Sequence, residues 1–328
     1  MWAALPRIQG HGKKNALQWR RGQRNKDSVR EIKQTEKVQA QNSSDLCVFC
    51  FDLEKVLELP YANVSSMYYK RKLAVYNLSI FDICTKEATC YMWPETVAGR
   101  GSSEISSCVY DYISKRGEEG YTRISMYSDK CGGQNRNRGM VTMMLEAVQQ
   151  TPVKQITHRF FESGHSQNEN DSVHSVIERA RKRCVPILTP DEYCVVARMA
   201  AQTRPYTVVE MGESDFKDFK KTSESLKNFK IGSVGETINW LEINEFHVDE
   251  AMEFQVKYKY WHDEASHNEL DVLYKSRSPK PVLNSEVISE HRLISKSKYT
   301  DLMDMVSHDL IPRQYHAFYQ NLPHDGTL

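Results

Sequence analysis

The spacing of apolar positions predicts three strands close together near the start of the folded chain. Residues 46–51 form a continuous apolar run of strand length, while 73–81 and 89–93 combine aliphatic and aromatic residues. A turn over 82–87 joins the second strand to the third. Because short connections between consecutive strands favour antiparallel pairing, these segments are expected to form a meander.

Beyond residue 100 the apolar spacing alternates between the helical period and the strand period. The predicted segments are a helix at 104–114, a strand at 121–127, a helix at 139–148, a strand at 155–161 and a helix from Asp171. With the meander, the order is strand, strand, strand, helix, strand, helix, strand, helix. That order predicts an α/β fold of the ribonuclease H-like class, with a mixed five-stranded sheet flanked by helices.

The last third of the chain is predicted to form a smaller appendage with strands and helices. The segments are a helix at 190–202, strands at 206–211, 238–246 and 254–260, a connector at 275–285 and two closing helices separated at Pro312. The chain therefore divides into a tail at 1–45, a catalytic-type core at 46–204 and a β-rich and helical appendage at 205–328.

Charge adds information only for the amino-terminal tail. The whole chain of 328 residues carries a formal charge of +1, but residues 1–45 hold ten Lys or Arg against four acids, a local charge of +6. A basic tail of this kind is typical of nucleic-acid binding and equally of solvated disorder, so we predict a disordered tail. No apolar run approaches the roughly 18 residues needed to span a bilayer, and we expect a soluble chain with no membrane partner.

The cysteine pattern favours reduced thiols over disulfides or zinc. Most of the eight cysteines lie inside apolar strand or helix patterns, as expected of buried thiols in an intracellular protein. Cys47 and Cys50 are separated by two residues, but an extended chain directs them to opposite faces, and no second Cys or His pair follows at zinc spacing.

Two aspartates stand at the ends of predicted strands. Asp52 closes the 46–51 strand, and Asp129 follows the 121–127 strand just before the Gly132-Gly133 pair. Carboxylates at the carboxyl ends of strands are common carriers of chemistry in sheet-and-helix folds. The alternative for Asp129 is a turn in which its carboxylate only accepts hydrogen bonds from nearby amides.

The helix from Asp171 places three ionisable groups on one face. At about 100° per residue, Asp171, His174 and Glu178 fall within a sector of roughly 60°. The structural alternative is an N-cap at Asp171, a surface histidine, and a Glu178 that pairs with basic residues one turn later.

Clustered carboxylates raise one another's pKa and destabilise a fold unless a cation neutralises them. Mg²⁺ or Mn²⁺ is the simplest such cation, because Mg²⁺ binds a few carboxylates together with water and phosphate oxygens. A pair of these ions about 4 Å apart supports cleavage or transfer of phosphodiesters. The predicted metal ligands are Asp52, Asp129 and Asp171.

Several motifs together resemble the transposase-derived proteins that are abundant in arthropod genomes. The motifs are Phe51-Asp52, 76–82 (YNLSIFD), 100–104 (RGSSE), 127–137 (YSDKCGGQNRN), 164–178 (GHSQNENDSVHSVIE) and 310–323 (LIPRQYHAFYQNLP). The similarity runs from about residue 46 to the carboxyl end. Residues 1–45 resemble no known segment, although a DNA-binding module is expected there.

This resemblance implies a DDE-type nuclease core. Asp52 and Asp129 match the two strand-borne acids of that family, Asp171 or Glu178 matches the helix-borne acid, and Glu104 matches an extra acid on the first helix. The implied function is metal-dependent cleavage or transfer of DNA strands in the nucleus or nucleo-cytoplasm. The expected partner is DNA or RNA, and the resemblance is also compatible with a homo-oligomer. The alternatives are a non-catalytic nucleic-acid-binding descendant and a ribonuclease acting on RNA hybrids.

Two geometric expectations follow. Asp52 and Asp129 should lie on adjacent central strands with their carboxyl groups facing each other. On the final helix, Asp171 stands nearest the preceding strand whereas Glu178 lies about 10 Å further along, so both are not expected to bind one metal. We favour Asp171 as the ligand with His174 beside it as a proton carrier, and keep Glu178 as the alternative.

Overall fold

The computed structural model describes residues 11–162, 168–273, 280–289 and 291–326, with side chains from residue 21 onward. The strands are β1 (Leu46–Leu53), β2 (Leu57–Leu59), β3 (Leu73–Asp82), β4 (Ala88–Pro94), β5 (Arg123–Ser128), β6 (Gln155–Phe160), β7 (Thr207–Glu210), β8 (Glu245–Asp249), β9 (Gln255–Lys259) and β10 (Asn268–Asp271). The helices are α1 (His11–Gln41), α2 (Ser102–Glu118), α3 (Arg138–Gln150), α4 (Asn170–Arg183), α5 (Pro190–Ala200), α6 (Phe219–Ser223), α7 (Lys296–Ser307) and α8 (His316–Gln320).

Within these residues, all ten strands belong to one mixed sheet in the order β10-β9-β8-β6-β5-β1-β3-β4-β7, with β2 paired to β3 outside this path. The pairs β1–β3 and β3–β4 are antiparallel, as predicted for the meander. The pairs β1–β5 and β5–β6 are parallel, because α2 and α3 carry the chain back across the sheet between them. The predicted mixed α/β architecture is thus confirmed.

Both faces of the sheet are covered, so β1 is apolar on both sides. Phe49 and Phe51 lie in the larger core with α2 and α3. Val48 and Cys50, on the other face, pack against Val29 of α1. Helices α4, α5, α7 and α8 cover the same side as α1, over strands β2, β3 and β4. A continuous apolar run such as 46–51 is typical of a strand buried on both faces.

The amino-terminal segment differs from the predicted disorder, because residues 11–41 form helix α1. The reason is tertiary contact: Val29 is 1% exposed in the core beside β1, and Asn25 is equally buried. Lys33 pairs with Glu169 at 2.5 Å, so charge as well as packing holds the helix on the sheet. A helix with basic composition is therefore stabilised by partners far away in sequence.

The carboxyl-terminal third is an integral part of the sheet rather than an appendage. Strand β7 pairs with β4 at one edge, and β8 pairs with β6 to extend the other. The predicted 238–246 strand begins only at Glu245, because Asn239 caps a short 3₁₀ turn over Trp240–Glu242. Strand β10 was not predicted. Of the predicted 275–285 connector, residues 275–279 lie outside the described residues.

The remaining sequence predictions concern thiols and membrane spans. All eight cysteines are free, and Cys47 and Cys50 lie on opposite faces of β1 as expected. Among the residues that the structure describes, no helix is long and apolar enough to cross a membrane.

Candidate active site

Strands β1 and β5 bring Asp52 and Asp129 to the same end of the sheet. These strands are adjacent and parallel, and the register pairs Cys50 with Tyr127, two residues before each aspartate. Equal spacing from a paired position puts both side chains on the same face of the sheet. Asp52 lies on β1 and Asp129 directly follows β5, so adjacent central strands carry the two aspartates as predicted, while the facing of their carboxyl groups stays a prediction.

The turn after β5 holds one oxygen of Asp129. Asp129 Oδ1 accepts hydrogen bonds from the backbone N–H of Cys131 at 3.1 Å and from Asn135 Nδ2 at 2.5 Å. Asn137 caps α3 by accepting from Met140 N–H, which fixes where the turn ends. The turn function weighed as an alternative for Asp129 is therefore present, and it also orients the carboxylate at the exposed end of β5.

Helix α4 begins beside the same strand end because Asn170 anchors it. Asn170 is fully buried and its Nδ2 lies 3.3 Å from Cys50 Sγ on β1. Asp171, the next residue, is exposed. The predicted polar turn before this helix falls largely on residues 163–167, which lie outside the described residues.

The charges of two of the aspartates act on the third, Asp52. Burial, together with the negative charges of Asp129 and Asp171, raises the pKa of Asp52 to about 7. Burial and the neighbouring Glu169 raise the pKa of Asp171 as well. The protonated form of Asp52 is therefore favoured relative to an ordinary carboxyl group, and a cation at this position would favour its ionised form.

His174 lies one turn after Asp171 and faces Asp52. Its Nε2 is 2.6 Å from the hydroxyl of Ser79 on β3, and its Nδ1 is 3.9 Å from Asp52 Oδ2. Burial lowers the pKa of His174 to about 4, so the ring is neutral at physiological pH. A neutral ring held by Ser79 presents a proton donor or acceptor beside the Asp52 carboxylate.

Glu178 belongs to a different group of charges. It pairs with Arg181 at 2.6 Å and with Lys182 at 3.3 Å, as the structural alternative for this residue predicted. Although its partial burial raises the pKa of Glu178, these two cations lower it overall. Its charge acts on Glu54 and is not among the causes of the Asp52 shift.

Glu54 is an acid that the sequence analysis missed. It is 6% exposed, accepts a hydrogen bond from Asn77 Nδ2 at 2.8 Å, and has a pKa that burial raises to about 7. The sequence contains a signal for Glu54, because a residue two positions after Asp52 in an extended chain points to the same face of the sheet. The acidic end of β1 thus includes two carboxyl groups with raised pKa values.

Glu104 serves the start of α2. Its Oε2 accepts the Gly101 backbone N–H at 3.0 Å, which caps the start of this helix from one side. Its carboxylate and the guanidinium of Arg292 both lie next to Gly99. The charges that shift the pKa of Asp52 come from Asp129 and Asp171, so the structure does not bring Glu104 into that group.

The fit to a divalent metal is partial. Among the described residues, no group of three or more His, Cys, Asp or Glu side chains is spaced to hold a metal ion. Mg²⁺ does not require such a group, since it keeps several waters and binds through one or two carboxylates plus substrate phosphates. Asp52 and Asp129 stand at the ends of adjacent strands, and the charge of Asp171 acts on Asp52.

Comparisons with known proteins assign no family to this site. No family model matches the chain, and neither a curated protein nor a solved structure matches it.

Proposed function

We propose that this protein is a metal-dependent enzyme that cleaves or transfers nucleic-acid strands, with Asp52, Asp129 and Asp171 as its acidic residues. The observation that carries the proposal is the raised pKa of Asp52, about 7, caused by burial and by the other two aspartates. Acids that are close together without a cation cost stability, and such clusters occur preferentially at functional sites.

The sheet supports the same proposal. Its central part runs β4-β3-β1-β5-β6, with an antiparallel meander on one side of β1 and parallel strands reached by helical crossovers on the other. This is the arrangement that a ribonuclease H-like fold implies. In a ribonuclease H-like fold, β1 and β5 would be the first and fourth strands of the core, which carry Asp52 and Asp129, and α4 would supply the third acid.

Each residue has a distinct part in this proposal. Mg²⁺ or Mn²⁺ at Asp52 and Asp129 would neutralise phosphate charge and lower the pKa of an attacking water or hydroxyl. Asn135 and the Cys131 N–H orient Asp129, and Ser79 orients His174 next to Asp52. His174, neutral at physiological pH, can accept or return a proton beside the reacting groups.

The main alternative is a nucleic-acid-binding protein that keeps this fold without catalysis. The observation in its favour is that the described residues include no ready group of three metal ligands. Both functions have DNA or RNA as the partner and are consistent with a nuclear protein. Catalysis is what separates them.

A strand-cleavage assay tests the proposal. End-labelled DNA duplex, single strand and RNA–DNA hybrid are incubated with the full chain and Mg²⁺ or Mn²⁺, and products are separated by size. Asp52→Asn and Asp129→Asn should reduce turnover by at least about 100-fold, a loss of roughly 3 kcal/mol of transition-state stabilisation. Asp309→Asn, at an exposed loop position with positive φ, is the matched control and should retain full activity.

The assay also ranks the helix-borne acids. Asp171→Ala should abolish turnover with folding preserved, and Glu178→Ala should leave part of it, because Glu178 is paired with Arg181. The reverse ranking would move the third acid to Glu178. DNA binding with no cleavage in either metal would favour the non-catalytic alternative, and cleavage confined to the hybrid would identify a ribonuclease.

A further inference from the structure

A large groove lies between α4 and α5, on the side of α4 away from the acidic residues. Its volume is about 1020 Å³. Ser172, Val176, Arg179 and Arg183 line it, and their spacing of three and four residues forms one stripe along α4. Asp171, His174 and Glu178 occupy a different face of the same helix.

The floor of the groove is apolar, and part of it is open to solvent. Val196 and Ile187 are buried at its base, and Tyr206 is half-buried beside them. On α5, Val195 is 48% exposed and Met199 is 73% exposed. Two large apolar side chains exposed along one helix face, beside a groove, are typical of a surface that binds a partner.

The rim of the groove is strongly basic. It carries four exposed cations, Lys86, Arg179, Arg183 and Arg204. Within the described part of the chain, none of the four has a carboxylate partner. The acid that also lines the groove, Glu192, accepts hydrogen bonds from Leu188 N–H and Tyr315 O–H, which commits it to the start of α5.

We propose that this groove binds an amphipathic helix of a partner protein, with apolar residues against the α4–α5 floor and acidic residues against the basic rim. The partner should be acidic because four exposed cations, which have no carboxylate partner among the described residues, surround an apolar floor. A helix laid in a groove between two helices buries such a floor through residues at spacings of three and four. The part of α4 that lines the groove, residues 172–183, is about 18 Å long, or roughly three turns of a bound helix.

Two other occupants fit the surface less well. A nucleic acid would satisfy the arginines, but its phosphates would leave Val195 and Met199 without an apolar contact. A second copy of this chain, related by a two-fold axis, would bring Arg179 and Arg183 of both copies close together. Like charges facing each other across an interface oppose association.

A peptide-binding experiment tests the proposal. The probe is a fluorescein-labelled 18-residue helix with Leu at positions spaced by three and four and Glu on both flanks. Its two matched controls replace Glu by Gln or Leu by Ser. Anisotropy is measured with the full chain in EDTA, so the result does not depend on metal chemistry. The acidic amphipathic peptide should bind with a Kd of roughly 1–50 μM, and each control peptide should bind at least about tenfold more weakly.

Variants of the protein locate the site. Arg179→Glu combined with Arg183→Glu should weaken binding at least about tenfold, and Met199→Ser should weaken it about fivefold. The matched control is Lys296→Glu, at an exposed cation on α7 outside the groove, which should leave the Kd unchanged. All changed side chains are exposed, and circular dichroism melts check that each variant folds.

Three results would overturn the proposal. The first is peptide binding that is absent or that none of the groove variants weakens. The second is binding of a labelled DNA duplex that the arginine variant abolishes while the peptide does not compete. The third is a dimer in sedimentation experiments that Met199→Ser dissociates, which would make a second copy the occupant. Since no arm uses metal, these results are independent of any failure of the cleavage assay.

Discussion

Two groups of charged side chains lie on the same sheet and differ in how their acids are neutralised. At the end of β1, burial and the negative charges of Asp129 and Asp171 raise the pKa of Asp52 to about 7. On β6, Arg159 lies between two acids and bonds to both, Glu36 of α1 at 2.7 Å and Glu245 of β8 at 2.7 Å. The charges that act on Asp52 are both negative, whereas the two acids beside Arg159 form ion pairs with it.

The paired group has a structural role. His267 bonds to the second oxygen of Glu245 at 2.7 Å, so both carboxylate oxygens are satisfied. Although burial alone raises the pKa of Glu245, His267 and Arg159 lower it to about 2. The network joins α1, β6 and β8, three elements that are distant in sequence, and so fixes both the amino-terminal helix and the added strands on the sheet.

The contrast shows that the fold neutralises acids that have a structural role, such as Glu36 and Glu245. Among the described residues, no cation contributes to the pKa shift of Asp52. Groups that lower stability without an evident structural gain are the ones expected to serve function. Each prediction below measures one side of this difference, from the largest expected effect to the smallest.

The paired network should be the most costly to break. Arg159→Met leaves Glu245, whose side chain is 3% exposed, and Glu36 without their shared cation. Removing one partner of a buried ion pair costs about 3–5 kcal/mol, so the free energy of unfolding should fall by that amount in guanidinium titrations. Lys221→Met, from a pair in which both side chains are more than half exposed, is the matched control and should cost under about 1 kcal/mol. Equal losses in the two variants would contradict a structural role for Arg159.

Glu245→Gln should cost less and should depend on pH in a defined direction. The folded pKa of Glu245, about 2, lies below its ordinary value of 4.5. Its contribution to stability is therefore fully present above pH 4.5 and is lost as the pH falls through about 2. The variant should be about 2–3 kcal/mol less stable at pH 7 and should approach the wild type in acid. A deficit independent of pH would attribute the loss to packing instead of charge.

Asp52→Asn should have the opposite sign. The folded pKa, about 7, lies above the ordinary value of 3.8, so the stability associated with protonated Asp52 is present below pH 3.8 and is lost as the pH rises through 7. With 27% of the side chain still exposed to solvent, the gain in the variant should be about 2 kcal/mol at pH 8 and near zero at pH 4. Thermal melts at the two pH values measure it. If the variant melts lower than the wild type at pH 8, the ionised carboxylate of Asp52 does not destabilise the fold.

Metal binding should reduce the destabilisation that ionised Asp52 causes in the wild type. At a concentration about ten times its Kd, Mg²⁺ or Mn²⁺ should add about 1.4 kcal/mol to the free energy of unfolding, which raises Tm by roughly 2–4 °C. Asp129→Asn should lose this response, because Asp129 lies beside Asp52 at the strand end. Asp309→Asn serves again as the control and should respond as the wild type does. An unchanged response in Asp129→Asn would exclude that residue as a ligand.

The core elements of this fold can be predicted from sequence because their signals are local. The apolar run at 46–51 and the three- and four-residue spacing in α2 are complete within each segment. Helix α1 could not be predicted in this way, because its order depends on Val29 contacting β1 and on Lys33 reaching Glu169. Val29 is about 20 positions from β1 and Lys33 is 136 from Glu169, and contacts at such distances leave no periodic signal in the segment itself.

The candidate site was predictable to a similar depth. Asp52 and Asp129 could be paired from strand order alone, since adjacent parallel strands end at one edge of the sheet. Which charges neutralise which acids could not be read from the sequence. Glu178 is held by Arg181, and Glu54 is buried beside Asn77, because of side-chain positions that only the packed helix and sheet define.

Glu178→Gln should have the smallest effect, and it gives the sharpest test of which helix acid belongs to the site. Glu178 is 38% exposed and pairs with Arg181 and Lys182 within its own helix, so its loss should cost at most about 0.5 kcal/mol. Its charge does not shift the pKa of Asp52, whereas that of Asp171 does. The Tm increase with Mg²⁺ should therefore persist in Glu178→Gln and shrink in Asp171→Asn. Loss of the metal response in Glu178→Gln alone would place the third acid two turns further along α4 and would join Glu178 and the buried Glu54 to the metal site.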